Sequence, residues 1–291
     1  MIVSKNDITV FTKPWSKEVS LEMLGKKMRT LGVDGVELPV RTGYQVEPAN
    51  VGKGLLEAKN ILADQGIKIG SVAGSVDELT INAMGEAGLK ILRICVAIDI
   101  KIGYMATEQM LRKHWDALRP VLDKAGVSIG VQNHCDHCVG SAIGIMHLIE
   151  KYDPKHVSAV YDPAHCGLDG EPELMGLDIL WSHLSLVNLK SAFWHRLNGP
   201  DEPEADYAVR WSTCHHALYS WRELVKALKE RGYKEDICLP AEYSGPKHDM
   251  AMGDDCLRYL KEDIAYLKHL LASEAGGTEV KTTDWQTGNP R

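Results

Sequence analysis

The stretch VSAVYDPAH, residues Val157–His165, is an apolar run that ends in an aspartate and a histidine. Three other stretches have the same form: VSIGVQNHCDH from Val127, LSLVNLKSAFW from Leu184 and ICLPAEYS from Ile237. Core strands are usually bounded by turn residues. Reactive side chains that recur at the same end of successive strands therefore predict that these ends converge on one site. A parallel barrel makes its strand ends converge.

Strand and helix patterns alternate along the whole chain, which is typical of βα units and a parallel sheet. We predict eight strands: Ile8–Thr12, Gly35–Pro39, Ile67–Val72, Lys90–Val96, Val127–Val131, Val157–Tyr161, Leu184–Leu189 and Ile237–Ala241. The predicted helices are Lys17–Leu31, Gly54–Gln65, Val76–Ala87, Thr107–Ala125, Ala142–Tyr152, Pro172–His183, Trp221–Arg231 and Met250–Leu271. Eight units in roughly 250 residues match a closed barrel. An open doubly wound sheet would need a Gly-rich turn after the first strand, and FTKPWSK has none.

The predicted fold class is therefore α/β, a single-domain (β/α)8 TIM barrel over residues 1–272 with a flexible polar tail over 273–291. Ser20 and Thr107 are expected at helix starts. Four glycines follow helices where a left-handed cap is expected: Gly32, Gly66, Gly126 and Gly232. The segment Trp194–Ser220 has no clear periodicity and is expected to be a functional or disordered loop.

Composition narrows the class of protein and of partner. Apolar residues make up 44% and charged residues 25%, values typical of a globular chain. The net charge of −7 argues against a nucleic-acid partner and leaves small polar molecules as the expected ligands. No apolar run is long enough for a secretory signal or a membrane span, so we expect a cytoplasmic protein without a membrane partner. The seven cysteines are expected to be reduced thiols.

The predicted strand ends carry a set of residues that is rich in oxygen ligands. They are Glu37, Gln132, Asn133, His134, Asp162, His165, Asn188, Lys190 and Glu242. Carboxylate and amide oxygens suit Mg²⁺ or Mn²⁺, and histidine shifts the preference toward Mn²⁺, Co²⁺ or Zn²⁺. These residues therefore predict a divalent metal site at the barrel mouth.

The chain resembles the xylose isomerase-like barrels, a family that includes sugar-phosphate isomerases and epimerases, inosose dehydratase and endonuclease IV. The resemblance runs from LGVDGVELPV through VQNHCD, YDPAHCG and VNLK to AEYS. It implies metal ligands on the fifth to eighth strands: a Glu, an Asp, a His and a Glu. The matching positions here are Gln132, Asp162, Asn188 and Glu242, so two ligands are replaced by neutral amides.

Two arrangements could compensate for these amides. His134 or His165 could supply the missing nitrogen ligand. Alternatively, Lys190 could act as a fixed cation in place of the metal and polarise a substrate carbonyl. The sequence leaves both open.

The resemblance implies a sugar or sugar-phosphate isomerase or epimerase that abstracts a proton next to a carbonyl group. We assign the catalytic roles to Glu242, Lys190 and His134, and expect substrate contacts from Glu37, Arg41, Asn133, His165 and Trp194. Because the fifth-strand Glu is absent, a dehydratase of a keto-sugar or keto-cyclitol is an alternative. A non-catalytic carbohydrate-binding barrel is another. A nuclease is disfavoured by the acidic charge. A homodimer is the expected assembly, since two-fold dimers are the commonest.

Several of these residues also have structural interpretations. Glu37 could form a salt bridge with Arg41 that ties down the following loop. Trp194 could cover the barrel rim. The run His134–Cys138 and the cluster Cys214–His216 could pair in one structural zinc site, although packing of the cysteines as small apolar groups is the simpler interpretation.

Overall fold

A computed structural model describes residues 6–245 and 249–273 of the chain, and these residues form a closed parallel barrel. The strands are β1 Ile8–Phe11, β2 Gly35–Pro39, β3 Lys68–Ala73, β4 Ile91–Cys95, β5 Ser128–Gln132, β6 Val157–Tyr161, β7 Leu184–Asn188, β8 Ser191–Arg196, β9 Tyr207–Ser212 and β10 Ile237–Leu239. Around the barrel the order is β1-β10-β7-β6-β5-β4-β3-β2. The predicted TIM barrel is confirmed, and all eight predicted strands are found within two residues of their bounds.

Helices surround the barrel and follow the strands along the chain. Those in the described residues are α1 Leu21–Leu31, α2 Val51–Asp64, α3 Glu78–Glu86, α4 Tyr104–Ala125, α5 Ala142–Ile149, α6 Pro163–Leu168, α7 Glu173–Leu180, α8 Trp221–Glu230 and α9 Leu257–Ala272. The four glycines expected at helix ends all have positive φ, between +65° at Gly126 and +73° at Gly66 and Gly232. Glycine is favoured there because it has no Cβ to clash in the left-handed region.

Helix starts were predicted less well than helix ends. Ser20 does cap α1, since its side chain accepts a hydrogen bond from the backbone N–H of Met23. The residues before Ser20, which we expected to be helical, lie outside α1 because the cap sets the first turn. Thr107 does not open α4, which begins at Tyr104 after Gly103. No side-chain cap marks that start, so the sequence carries little signal for it.

Three elements, β8, β9 and α6, were not predicted. Strands β8 and β9 form an antiparallel hairpin, with Ser191 opposite Ser212 and Arg196 opposite Tyr207, so residues 194–196 and 207–212 of the segment expected to be irregular are ordered sheet. Helix α6 spans only 6 residues directly after β6. Asp162 caps the start of this helix, because its side chain accepts a hydrogen bond from the backbone N–H of Ala164 at 3.1 Å. A helix this short has too few residues to show a 3.6-residue period.

The core has three parts. The largest one packs the helices against the outer face of the strands. The smallest one lies beside the β8–β9 hairpin and consists of Cys135, Ala164, Leu168 and Ala192. The remaining cluster brings together Phe11, Ala73, Val160, Leu186 and Cys238. These five come from β1, β3, β6, β7 and β10, and strands so far apart around the barrel can meet only in its interior. The barrel is therefore filled by side chains below its C-terminal mouth.

Two further sequence predictions concern the thiols and the membrane. All seven cysteines are free of disulfide bonds. In the part of the chain that the structure describes, no helix has the length and apolar character needed to cross a bilayer. The predicted flexible tail lies, apart from Ser273, outside the described residues.

Substitution of Gly85 by alanine tests the packing of α3 on α4. An added Cβ would lie 2.8 Å from Cβ and 2.9 Å from Cα of Ala125, so one helix must move. We expect Gly85→Ala to lower the free energy of unfolding by about 1–3 kcal/mol in urea titrations. Gly52→Ala in α2 is the control, because nothing lies within 4 Å of its added Cβ. The control should be neutral or up to about 1 kcal/mol stabilising, and equal effects of the two changes would contradict this packing.

Candidate active site

Three charged side chains meet at the C-terminal mouth of the barrel. Lys190 Nζ lies 2.7 Å from Glu242 Oε2 and 3.4 Å from Asp162 Oδ2. Asp162 follows β6, Lys190 follows β7 and Glu242 follows β10. These strands are neighbours in the barrel, which explains why residues distant in sequence converge. Asp162 is 0% and Lys190 4% exposed, so the ion pairs lie almost entirely out of water.

The hairpin β8–β9 covers the other side of the lysine. Lys190 Nζ lies 4.4 Å from the centroid of the Trp211 ring, in cation–π geometry. The Lys190 backbone is held as well, because its carbonyl accepts a hydrogen bond from the Tyr219 hydroxyl at 2.6 Å. The ammonium group is therefore enclosed by two carboxylates and an indole ring.

A second lysine holds Glu242 from the solvent side. Lys13, which follows β1, places Nζ 2.9 Å from Glu242 Oε1, and its side chain is 39% exposed. Glu242 itself is 12% exposed, so it is the carboxylate of this centre that solvent can reach. The preceding residue, Ala241, has a φ of +56°. A left-handed alanine costs energy, and such strain is common where a backbone must aim a functional side chain.

A chain of buried hydrogen bonds extends from Asp162 across the barrel. Gln132 Nε2 donates to Asp162 Oδ2 at 2.8 Å, and Gln132 Oε1 accepts from Arg93 Nη1 at 2.7 Å. Arg93 Nε donates in turn to Glu37 Oε1 at 2.7 Å. Arg93 also lies over the Phe11 ring, 4.6 Å from its centroid. The amide of Gln132 is thus fixed between a carboxylate and a guanidinium.

The ionised forms of these groups balance. The three acids and the three bases are Glu37, Asp162, Glu242, Arg93, Lys190 and Lys13. Buried charges are tolerated when they are paired and hydrogen-bonded. We name this set, together with Gln132, the charge network.

Ionisation of the network follows from its charges. Burial alone would lower the pKa of Lys190, but the carboxylates of Asp162 and Glu242 outweigh it and raise that pKa. For Glu242, burial favours the neutral form, yet Lys190 and Lys13 together bring its pKa well below the ordinary value. Burial raises the pKa of Asp162, an effect that the charge of Lys190 opposes. Lys190 is therefore an ammonium and Glu242 a carboxylate at neutral pH.

Two histidines stack beside the network. The ring centroids of His134 and His165 are 4.0 Å apart. His165 Nδ1 accepts from the backbone N–H of Cys135 at 3.1 Å, so in the neutral ring the proton is on Nε2. This Nε2 lies 3.6 Å from Asp162 Oδ2 and has no hydrogen-bond partner among the described residues. Burial and then Lys190 lower the pKa of His165, which keeps the ring neutral.

His134 is the more accessible of the pair, being only partly buried. Its Nδ1 lies 3.0 Å from the carbonyl oxygen of Cys135, which can only accept, so Nδ1 carries the proton. In the neutral ring, Nε2 is then free to accept a proton.

The remaining predicted site residues lie at varying distances from this centre. Asn133 is fully buried and its amide bonds to both backbone groups of Asp162, so it positions that residue. Asn188 Oδ1 is buried without a hydrogen-bond partner in the described chain. Trp194, on strand β8 of the hairpin, is 49% exposed and donates to the carbonyl of Leu168 in α6. Arg41 is exposed and lies 5.8 Å from the centroid of Phe11. Glu37 forms its salt bridge with Arg93, so the alternative pairing of Glu37 with Arg41 is not observed.

Sequence reasoning missed three residues of the centre. Lys13 stands just past β1 and could have been found by the strand-end rule that identified the others. Arg93 is a charged residue in the apolar strand ILRIC, which is itself a signal of a buried ion pair. Trp211 lies in the unpredicted hairpin, and nothing in the local sequence indicates its position over Lys190.

The residues predicted as metal ligands do not present a suitable donor set. Gln132 turns its nitrogen, not its oxygen, toward Asp162. Both carboxylates that would bind the ion already contact the Lys190 ammonium. Asn188 offers one neutral oxygen. Divalent ions such as Mg²⁺ need several oxygen ligands directed at one point, and the orientation of these groups does not provide them.

Softer donors form two separate groups. His134, Cys135 and His165 lie within 4.8 Å of one another, as do Cys214, His215 and Glu262. The cluster His134–Cys138 is therefore completed by His165, and the cluster Cys214–His216 by Glu262, whereas the zinc hypothesis paired the two clusters with each other. Within the described residues, the zinc site that would pair the two clusters is not formed.

A buried carboxylate, Asp263, fixes the residue that follows Glu242. Asp263 of α9 accepts from the Tyr243 hydroxyl and from the backbone N–H of Cys214, each at 2.7 Å. Tyr243 directly follows Glu242, and Cys214 follows the hairpin that carries Trp211. Burial raises the pKa of Asp263 to about 6. Asp263 therefore joins the two segments that enclose Lys190.

Comparison with known proteins identifies the family. Residues 26–269 match the family described as xylose isomerase-like TIM barrel, and the chain belongs to this family. No curated protein matches the sequence significantly.

Solved structures agree with this fold. D-psicose 3-epimerase with D-tagatose from Clostridium cellulolyticum H10 has 13% identity and a TM-score of 0.64, over 91% of this chain and 99% of that one. The 3-keto-D-glucoside 4-epimerase of E. coli has the same identity and score, over 91% and 100%. A xylose isomerase-like barrel protein from Mycobacterium smegmatis in complex with magnesium has 15% identity and a TM-score of 0.63, over 92% and 96%. At these identities the likeness shows the fold.

The ion pairs of Lys190 should contribute strongly to stability. Lys190→Met leaves the buried Asp162 without its cation, so we expect a loss of about 3–5 kcal/mol in the free energy of unfolding at neutral pH. Without the ammonium, the pKa of Asp162 and of Glu242 should rise. The loss of unfolding free energy should therefore become smaller as the pH falls and these carboxylates take up protons. Urea unfolding at pH values on both sides of neutrality measures this.

Two controls accompany that measurement. Lys151→Met removes a lysine from an exposed pair with Asp116 and should cost at most about 1 kcal/mol. Adding Asp162→Asn to Lys190→Met should recover part of the loss. A loss that is independent of pH and unchanged by Asp162→Asn would contradict the buried ion pair.

Asp263 should give a measurable pH dependence of stability. Its pKa of about 6 in the folded protein lies above the ordinary value of 3.8, so the folded state binds the proton more tightly than the unfolded state. The contribution of Asp263 to the free energy of unfolding should therefore decrease by about 3 kcal/mol as pH rises from about 4 to about 6. Asp263→Asn lacks this titration. A difference between wild type and variant that stays constant over this range would contradict the assignment.

Proposed function

We propose that this xylose isomerase-like barrel is an isomerase or epimerase of a sugar or sugar derivative, acting by proton transfer next to a carbonyl group. One observation carries the proposal. A carboxylate that solvent can reach, Glu242, lies 2.7 Å from a fixed ammonium, Lys190, at the C-terminal mouth of the barrel. Proton abstraction next to a carbonyl needs a base and a positive charge near the carbonyl oxygen in this kind of proximity.

Lys190 supplies the positive charge in this proposal. Because the carboxylates of Asp162 and Glu242 raise its pKa, it acts as an ammonium and not as a nucleophilic amine. An imine with the substrate would require the neutral amine. The ammonium instead donates a hydrogen bond to the carbonyl oxygen and stabilises the enediolate that forms when the proton leaves.

Glu242 is the base. It is ionised, since Lys190 and Lys13 hold its pKa low. A carboxylate in a tight ion pair is a weak base, so the substrate must change its surroundings. A carbonyl oxygen that takes over the hydrogen bond from Lys190 loosens the ion pair at 2.7 Å and raises the basicity of Glu242. The base becomes effective when substrate is bound.

His134 is the second proton carrier. It is partly buried beside His165, and its Nε2 is free to accept a proton. His165 has no exposed surface, so it acts through Asp162 and the position of the His134 ring. In this proposal Glu242 takes a proton from one carbon of the substrate, and His134 assists its return to the neighbouring carbon.

A dehydratase of a keto-sugar or keto-cyclitol is a second candidate, supported by the state of Gln132. Its amide cannot act as a base, so Glu242 is the carboxylate available for proton abstraction at the mouth. Epimerisation by two opposed carboxylates is then disfavoured. Elimination of water needs one base, the Glu242 carboxylate, and one acid that protonates the leaving hydroxyl, a role that His134 takes when its Nε2 carries a proton.

The polar residues at the barrel mouth and the ligands named for similar structures support one substrate class. One similar structure contains D-tagatose, and another similar protein acts on a 3-keto-D-glucoside by its name. We propose a polyhydroxylated carbonyl compound of this kind. A cytoplasmic location and a homodimer remain predictions from the sequence.

Glu242→Gln tests the base. Exchange of substrate C–H protons with D₂O, followed by NMR on D-tagatose, D-psicose and a 3-keto-D-glucoside, reports proton abstraction whatever the product. We expect Glu242→Gln to slow this exchange by roughly 10²–10⁴-fold. Glu235→Gln, at the other end of β10, is the control and should leave exchange unchanged. Exchange that survives Glu242→Gln would exclude Glu242 as base, and binding without any exchange in the wild type would indicate the non-catalytic barrel.

A further inference from the structure

We infer that the ammonium of Lys190 permanently takes the position of a divalent cation in this barrel, so that the protein works without a metal ion. The catalytic part of this inference rests on the proposed function. The occupancy of the cation position does not, because it follows from the geometry of the charge network alone.

The oxygens that a metal ion would need are already used. Asp162 Oδ1 accepts from the backbone N–H of Ala164, and Oδ2 accepts from Gln132 and contacts Lys190. Glu242 directs Oε1 to Lys13 at 2.9 Å and Oε2 to Lys190 at 2.7 Å. The ammonium lies where an ion shared by these carboxylates would lie, and it cannot share that space.

Gln132 is prevented from turning its oxygen to the mouth. Its Oε1 accepts from Arg93 at 2.7 Å, and Arg93 is held by Glu37 at 2.7 Å. A rotated amide would point its N–H groups at the guanidinium, which has only donors, and its oxygen at the carboxylate of Asp162, which has only acceptors. Both contacts would become repulsive. Arg93 thus fixes the orientation that rejects a cation.

The charges of the network also disfavour a divalent ion. The network is neutral with Lys190 in place, so a divalent ion would add two positive charges beside Lys190 and Lys13. The Asn188 Oδ1 atom is the one predicted ligand oxygen of the described chain without a hydrogen bond. A single neutral oxygen cannot offset that repulsion or complete a coordination sphere.

Lys190 has the donors to serve as such a cation. Its ammonium carries three N–H groups and contacts Glu242, Asp162 and the Trp211 ring, and a substrate oxygen can replace one of these partners. Unlike a metal ion, the ammonium cannot be removed by a chelator. The reaction should therefore be insensitive to chelators and to added divalent ions.

The test is a titration with Mn²⁺ followed by electron paramagnetic resonance, which requires no substrate. Wild type, first dialysed against a chelator, should leave Mn²⁺ free in solution. Mn²⁺ uptake by the wild type that disappears in Asp162→Asn would overturn the inference. Because wild type is the primary sample, the result does not depend on a variant that folds poorly.

A matched pair of variants tests the role of Lys190 itself. Gln132→Glu with Asn188→His restores a carboxylate and an imidazole but keeps the ammonium, and should still leave Mn²⁺ free. The same changes combined with Lys190→Ala should take up Mn²⁺. Uptake by the variant that keeps Lys190 would overturn the claim that the ammonium excludes the ion.

The outcome is separable from the proposed function. If no sugar shows proton exchange while the wild type rejects Mn²⁺, the proposed reaction fails and the occupied cation position stands. If exchange in the wild type requires Mn²⁺, the reaction stands and the metal-free inference fails. Exchange at an equal rate with chelator and with Mn²⁺ supports both.

Discussion

The buried ammonium of Lys190 is the interaction on which the rest of the site depends. It lies within 3.4 Å of two carboxylates that come from different strands, and nearly all of its surface is withdrawn from water. An uncompensated charge there would cost about 3–5 kcal/mol, a large part of the stability of a typical domain, or would be neutralised by a shift of its pKa. The carboxylates of Asp162 and Glu242 must therefore stay ionised and stay in place next to Lys190.

The hydrogen bonds around this centre show how that requirement is met. Asp162 is fixed by Asn133, which bonds both of its backbone groups, and by the first turn of α6. Gln132 links Asp162 to the Arg93–Glu37 pair across the barrel. These bonds join strands β2, β4, β5, β6 and the ends of β7 and β10, so the mouth of the barrel is one connected polar layer above an apolar interior. Most polar atoms of this layer are paired, but Glu37 Oε2 and Arg93 Nη2 are buried without a hydrogen-bond partner among the described residues, and each such atom costs stability.

The hairpin that packs over Lys190 is connected by hydrogen bonds to the segment that carries Glu242. The hairpin β8–β9 carries Trp211 over Lys190, and Asp263 connects the segment after the hairpin to Tyr243, the neighbour of Glu242. Motion of the hairpin would change the surroundings of Lys190 and of Glu242 together. In the reaction proposed above, this would couple access of the substrate to the basicity of Glu242.

The sequence by itself determined the barrel, because strand and helix periodicity and the length of each unit are local properties. It also identified Asp162, Lys190 and Glu242 as residues of one site, since parallel strands must end on the same face. It left open whether a metal ion or Lys190 provides the positive charge. That choice depends on the orientation of the Gln132 amide, which is set by Arg93 from another strand.

Only the tertiary structure decided which groups touch. The pairing of Glu37 with Arg93, in place of Arg41, joins strands 56 residues apart in sequence. The placement of Trp211 depends on the hairpin in which β9 pairs with β8. The sequence of these two strands shows only a weak two-residue alternation of apolar and polar residues, so it did not predict the hairpin. Distances between side chains on different strands depend on barrel closure, and no local pattern contains them. The sequence therefore determined the fold and the convergence of Asp162, Lys190 and Glu242 at the barrel mouth, and the folded chain decided their further partners Lys13, Arg93 and Trp211 and the charge balance.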